Sequence, residues 1–417
     1  MPCVGNQRNS YMRNILIFSF LLLFATEASA ITLSDSARIS LLTCGPGDEL
    51  YAKFGHSAIR IYDPVNHIDV SFNYGYFDYN TPGFYYKFVR GETDYQIGAV
   101  DTPDFFLEYR MLNINMWEQV LNLQQDEKQA LFDALLVNYQ PENRYYRYNF
   151  AFDNCATRPR DMIARSIHGK LIFSPSLDKN HETFLQLIDH YTAENPSILF
   201  GMHLLFGASA DSVATLQQSF FLPERLMQGY ATAMIQRGSI EVPLVISTSQ
   251  PVKIVGHEHK PAFDYIPWII GIILLFVLYL SSVDKQKQQL SFWFDGILFG
   301  LVGVTGIVIF YMNFFSLHPL VSHNWNLVWM NPLDLVFAFL LPFSSLRRIA
   351  FYLQYFFLVC IIFLLVSLFY LPQTFLFSQI MLMVAMGIRS VMYLRLRNEY
   401  LHPKITSVRA KKVTASS

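Results

Sequence analysis

Two short stretches hold the side chains best able to do chemistry. YNFAFDNCATRPRD, at 148–161, sets Cys155 between an acid–amide pair and two arginines. YAKFGHSAIRIYD, at 51–63, sets His56 directly after Gly55. A thiol is a nucleophile only as thiolate, and a neighbouring imidazole or a helix N-terminus draws its pKa down from about 8.5. Cys155 and His56 are therefore candidates for a thiol–imidazole pair. Two other readings of Cys155 stand beside this one: half of a disulfide with Cys44, or a buried bystander.

The pattern around each residue predicts the element that positions it. Ala58, Arg60 and Tyr62 alternate with Ser57, Ile59 and Ile61, which predicts a strand opening at His56. Gly55 allows a tight turn just before it. A second strand is expected over DVSFNYGYF, at 69–77, after the turn signals at Asp63-Pro64 and Asn66. Helices are expected near 102–112, 126–139 and 154–168, the last capped by Asp153 or Asn154. Cys155 then stands at a helix N-terminus.

Asn154 is a candidate oxyanion donor, although capping its own helix competes for it. Arg158 and Arg160 are candidate phosphate ligands, with ion pairs to Asp153 or Asp161 as the rival role. The aromatics of YNTPGFYYKF and RYYRYNFAF are candidates for an acyl-accepting groove or for plain core. His181, His190 and His203 lack metal-ligand spacing, and no Gly-rich phosphate loop, Cys-x-x-Cys pair or His-Glu-x-x-His motif occurs. Neither a metal nor a cofactor is expected.

Composition divides the chain in two. Residues 1–30 read as an export signal, with Arg8 and Arg13 before the apolar run 15–24 and Ala28-Ser29-Ala30 as a cleavage site. A soluble domain is expected over 31–250 and a linker over 251–264. Five apolar runs follow, at about 265–283, 292–314, 327–346, 349–371 and 375–394, each near the length of a spanning helix. Lys285, Lys287, Arg347, Arg348 and the basic tail at 397–417 all fall on one side of a five-span arrangement. That side is expected to be cytoplasmic, and the soluble domain to face the periplasm, where a disulfide is chemically permitted. The opposite loop, 315–334, offers His318, His323, Asn324 and Asp334 as candidate substrate contacts. A net charge of −1 says nothing about nucleic acid, and no basic patch points to such a partner, so none is expected.

FGHSAIRI followed by DNCATR resembles the circularly permuted NlpC/P60 thiol enzymes, whose His-bearing strand precedes the Cys-bearing helix. Lecithin:retinol acyltransferase and its relatives are similar at both motifs. The whole chain is similar to lipoprotein N-acyltransferases of the Lnb type, through GPGDELYAKFGHSAIR, FNYGYFD, YNFAFDNCATRPRD, LFGASADSVATLQQSFFLPERL and HPLVSHNWNLVWMNPLD. The resemblance implies an α+β fold: a permuted, papain-like NlpC/P60 periplasmic domain followed by an all-α bundle of five transmembrane helices. It also implies Cys155 as nucleophile and His56 as base. Asn73 is the best-placed residue for the third, orienting position, with Asp69 and Asp63 as rivals and His67 in the turn. The implied reaction moves an acyl chain from a membrane phospholipid, through a thioester on Cys155, to the N-terminal amine of a diacylglyceryl lipoprotein. The alternatives are a peptidoglycan amidase or peptidase, and a non-catalytic envelope scaffold with Cys155 bridged to Cys44.

Overall fold

The computed structural model describes residues 31–78, 80–178, 181–254 and 262–401. The expected signal, part of the linker and most of the tail lie outside them. The N-terminal region begins β1 (Arg38–Cys44), β2 (His56–Asp63), β3 (Ile68–Tyr76), α1 (Phe84–Arg90), β4 (Asp94–Asp101), α2 (Thr102–Met111) and β5 (Met116–Leu121). It continues through α3 (Gln125–Tyr139), β6 (Tyr145–Arg147), α4 (Thr157–Ser166), β7 (Lys170–Ile172), α5 (Phe184–Thr192) and α6 (Pro196–Leu205). The short α7 (Leu216–Ser219), then α8 (Pro223–Thr232), β8 (Met234–Arg237), β9 (Ile240–Pro243) and β10 (Val245–Val252) complete it.

Alternation along β1–β3 builds a two-faced sheet in the order β10-β5-β1-β2-β3-β4-β6, every neighbouring pair antiparallel. One face, with Ile39, Leu41, Ile59, Ile61, Phe72 and Tyr74, is buried under α3 and α4 through Leu131, Leu135 and Ile163. The other face buries Leu42, Cys44, Ala58 and Met116 with Phe105 of α2. A separate three-stranded sheet runs β7-β8-β9. Asp63 ends β2 and fixes the hairpin, accepting from the N–H groups of Val65 and Asn66 and from Ser34. Burial alone would raise its pKa, but these hydrogen bonds prevail and hold the carboxyl below the usual range.

The C-terminal region comprises α9 (Ile266–Lys287), α10 (Phe292–Phe315), α11 (Leu333–Leu340), α12 (Arg347–Ser367), α13 (Phe377–Arg395) and α14 (Arg397–Leu401). Four of its helices are long and apolar enough to cross a membrane: Ile266–Lys287, Phe292–Phe315, Ser344–Ser367 and Phe377–Arg395. The fifth expected span, 327–346, is not one continuous helix. The run 327–346 is instead a broken segment, with 3₁₀ turns at Trp325–Val328 and Ser344–Leu346 around the eight residues of α11. Pro332 and Pro342 break it, since each lacks an N–H and crowds the preceding turn.

The broken segment still runs antiparallel along α10. A side chain at Gly303 would meet the backbone of Leu335, and one at Gly306 the Met330 carbonyl, while Gly296 faces Leu341. Irregular backbone at membrane depth is tolerated only inside protein, and Trp329, Met330 and Phe337 are all buried. Near the opposite end of the bundle, buried Arg389 lies 2.6 Å from Asp295 and 2.8 Å from Asp284.

Two helices of the N-terminal region are fastened to the bundle. The last carbonyls of α6 have no helical partners, and bundle amides satisfy them. Asn324 donates to Leu204 and Leu205, Asn326 to His203 and Leu204, Gln379 to His203, and Gln373 to Phe206. The end of α1 meets the segment after α10: Ser316 Oγ donates to the Val89 carbonyl and Leu317 N–H to the Arg90 carbonyl. The sheet domain is held against the bundle at two points, where the sequence suggested only a tether.

Candidate active site

Cys155 stands two residues ahead of α4, and its immediate neighbour shapes the approach. Asn154 Oδ1 accepts from the N–H groups of Ala156 and Thr157, while its Nδ2 donates to the carbonyls of Phe150 and Phe221. The amide is thereby committed to capping the helix and pinning the loop. Cys155 itself is buried.

His56 opens β2, opposite Cys44 of β1. Asn73 pairs with Ala58 on the neighbouring strand, on the same sheet face as His56, and its side chain hydrogen-bonds the imidazole. Its Nδ2 is 3.4 Å from the Tyr76 hydroxyl, which leaves the amide oxygen for the ring. The Cys155 and His56 side chains both border Gly75: a Cβ there would lie 3.7 Å from His56 Cε1 and 3.8 Å from Cys155 Cβ. Gly75 also has φ +109, and the β3–β4 register shifts between Tyr74 and Tyr76. A Cβ would fit there in ordinary contact, so it is the left-handed backbone that favours glycine.

The electrostatics run against the sequence expectation of a lowered thiol pKa. Burial pushes Cys155 up to about 11, overriding the backbone N–H groups of Ser57 and of Cys155 itself, which favour the thiolate. Burial likewise lowers His56 to about 4, against the hydrogen bond that the ring donates to Asn73, which favours the imidazolium. At neutral pH both groups rest uncharged. Cys155 precedes α4 rather than lying in its first turn, so the helix dipole does not outweigh burial.

The remaining candidates lie apart from this pair. Arg158 Nε is 2.6 Å from Asp153, and its guanidinium sits 3.6 Å from the Tyr146 ring centre. Arg160 is paired with Asp161. Asp69 and Arg60 pair at 2.7 Å farther along the β2–β3 hairpin, Asp63 closes the turn, and His67 lies in it. His318 Nε2 is 2.9 Å from the Phe88 carbonyl, and His323 Nδ1 is 3.3 Å from Ser209 Oγ. Asn324 belongs to the amide seam. Asp334 is fully buried at the start of α11, with Oδ2 accepting from Asn331 N–H.

Cys44, Cys155 and Cys360 are free thiols, so the Cys44–Cys155 bridge is not formed. Cys44 is buried, which raises its pKa well above the usual value, and it hydrogen-bonds Tyr109. Residue-by-residue inspection of the sequence missed Gly75 and the Ser57 N–H; the glycine within the FNYGYF strand was the one available signal. Among the described residues, no group of three or more His, Cys, Asp or Glu side chains is placed to hold a metal ion.

Two family models match. The Lnb N-terminal periplasmic domain covers residues 26–188, and the Lnb transmembrane domain covers residues 259–400. The chain belongs to the Lnb family. It is thereby an Lnb-type lipoprotein N-acyltransferase family member, with an N-terminal domain of periplasmic type and a membrane-embedded C-terminal region of the inner membrane. No curated protein and no solved structure matches the chain.

Proposed function

We propose that this protein transfers a fatty acyl chain from a phospholipid to the α-amine of a diacylglyceryl lipoprotein, through a thioester on Cys155. The observation that carries the proposal is that Cys155 and the Asn73-bound His56 both border Gly75. Cys155 Sγ attacks the ester carbonyl as His56 removes its proton. The carbon–oxygen bond of the ester breaks, and the imidazolium returns that proton to the departing lysophospholipid oxygen. The acceptor amine then attacks the thioester, the carbon–sulfur bond breaks, and its proton passes through His56 to Sγ. Each half-reaction ends with a neutral pair, which is the resting state that burial favours. In this reading the N–H groups of Ser57 and Cys155, which favour the thiolate, turn to the developing oxyanion as the sulfur bonds to carbon.

Transfer to an amine rather than to water suits an enclosed thiol. An α-amine of pKa about 8 is partly neutral at pH 7 and intercepts a thioester efficiently once water is kept out. The topology that accompanies this reading puts the basic ends of the spans and the C-terminus in the cytoplasm. His318, His323 and Asp334 belong, in this proposal, to the membrane-side approach rather than to the reacting centre.

The test is mass spectrometry of the full-length protein reconstituted in phospholipid vesicles without acceptor. An added acyl mass on the peptide bearing Cys155, released by neutral hydroxylamine and discharged by a diacylglyceryl lipopeptide, is the expected result. An unmodified thiol with continuing N-acylation would end the thioester mechanism.

A further inference from the structure

A row of aromatic rings, with Tyr95 and Phe84 buried midway, runs from the core cluster that holds Cys155 to the membrane bundle. Tyr148 packs on the buried cluster that contains Cys155, and it stacks on Tyr95 at 4.2 Å between ring centres. Tyr95 meets Phe77 at 5.0 Å, Phe77 stacks on Phe84 at 5.6 Å, and Phe84 stacks on Phe88 at 6.1 Å. Phe88 meets the His318 ring at 6.1 Å, and His318 Nε2 reaches the Phe88 carbonyl. Beyond it, Phe314, Phe315 and Leu317 at the end of α10 are exposed, as are Phe88 and Tyr85 on α1. Helix α1, sequence FYYKFVR, thus carries rings and two cations at the junction between sheet domain and spans, the composition of an interfacial helix.

We infer that this aromatic wall is the track along which the donor's acyl chain reaches Cys155 from the bilayer. The inference rests on the acyltransferase reading and adds the route and the residues that select for chain length. Its occupant is a long acyl chain because the wall is continuous with the lipid-facing surface of α10 at one end and with the nucleophile at the other. A chain coming from the bilayer is already out of water and gains little by transfer alone, but only a long chain lies along the whole wall, so a polar break in the wall weighs on a long-chain donor and not on a stub. His318 acts as a positioning residue: its bond to the Phe88 carbonyl fixes the outer end of the wall.

Two donors separate the track from the chemistry. Full-length protein is offered dipalmitoyl phosphatidylethanolamine–phosphatidylglycerol vesicles or a soluble dihexanoyl phospholipid, and acyl-Cys155 is counted by mass. Phe88→Asp is expected to lower the ratio of long-chain to short-chain loading at least tenfold. Phe88→Leu, which keeps an apolar surface, is expected to hold it within about threefold, and Tyr51→Asp, beside Phe77 at 6.5 Å, to fall between them. An unchanged ratio in Phe88→Asp overturns the track, as does loss of both donors in proportion with an unaltered melting curve. Normal loading with slowed transfer to a lipopeptide overturns it too, because the wall would then serve the acceptor. If wild-type protein loads from neither donor, the acyltransferase reading itself fails and the track falls with it.

Discussion

Few hydrogen bonds reach the thiol and imidazole, whereas at the seam between sheet domain and bundle every side-chain amide is used. Asn324, Asn326, Gln373 and Gln379 each donate to a carbonyl at the end of α6, and their oxygens accept in turn. Asn324 takes the Asn326 N–H, Asn326 the Trp329 indole, Gln373 the Trp325 N–H and Gln379 the Leu376 N–H. A saturated buried network specifies one geometry and has nothing left to offer a substrate. Cys155 and His56 are the reverse. They both border Gly75 and are held neutral by burial. The comparison sets architecture beside the proposed chemistry: side-chain amides with their partners in place join the two regions, and the proposed reacting pair rests neutral and enclosed.

The comparison is broken most directly at the reacting pair. Cys155→Ser and His56→Ala are each expected to lower N-acylation of a diacylglyceryl lipopeptide by about a thousandfold or more, with melting curves close to wild type. The serine hydroxyl is similar in size but far too weakly acidic for His56 to activate. Near-normal activity in Cys155→Ser would refute the role given to the thiol.

A second test addresses the neutral resting state. With Cys155 raised to about 11 rather than 9.0, thiolate at pH 8 is about a hundredfold scarcer than for a free thiol. Iodoacetamide labelling is expected to be correspondingly slow and to climb with pH without levelling below about 10. A plateau near neutrality would mean a thiolate–imidazolium pair instead. The same shifts set stability. Below 6.5 the unfolded imidazole binds a proton that native His56, at about 4, refuses, so stability falls as pH drops through that window. Above 9.0 the unfolded thiol loses a proton that native Cys155 keeps, so stability falls again as pH rises toward about 11.

Much of the site's scaffold was legible because period-two alternation and turn residues act locally. The strand expected from His56 is β2, the one expected over 69–77 is β3 at Ile68–Tyr76, and the helices expected near 102–112 and 126–139 are α2 and α3. What escaped depends on contacts distant in sequence. Hydropathy cannot tell a continuous helix from the broken segment at 327–346, because both bury the same side chains; Pro332 and Pro342 were the readable signs. The thiol's pKa was misjudged because burial is a tertiary property, while helix position and neighbouring imidazole are near-sequence cues. Asn324 looked like a substrate contact because polar residues in an outer loop suggest one, yet its partners are the Leu204 and Leu205 carbonyls.

The seam supplies a third, smaller test. Replacing Asn324 and Asn326 together by Ala strands the carbonyls of His203, Leu204 and Leu205, at about 1–3 kcal/mol for each buried group left unpaired. If the seam sets the orientation of the thiol over the bilayer, the double variant keeps wild-type Cys155 labelling but loses about tenfold in acylation of vesicle-bound lipopeptide. Loss of labelling and acylation together would make the seam a folding element alone. Unchanged acylation would return the membrane region to a simple anchor.

Cys44 gives the finest test, because it lies opposite His56 yet belongs, by its partners, to the structural class. It is 1% exposed, packed with Leu42, Ala58, Met116 and Phe105, and hydrogen-bonded to Tyr109. Burial keeps its thiol protonated, and no bridge ties it to Cys155. Cys44→Ala removes one small apolar-like group and a weak hydrogen bond, which costs about 1 kcal/mol and shifts the melting temperature by a few degrees. Acylation is expected to remain within about threefold of wild type, and Cys155 labelling to keep its pH dependence. A loss equal to that of Cys155→Ser would move Cys44 into the chemistry, and the division between saturated and reactive groups would then fail one strand away from the nucleophile's base.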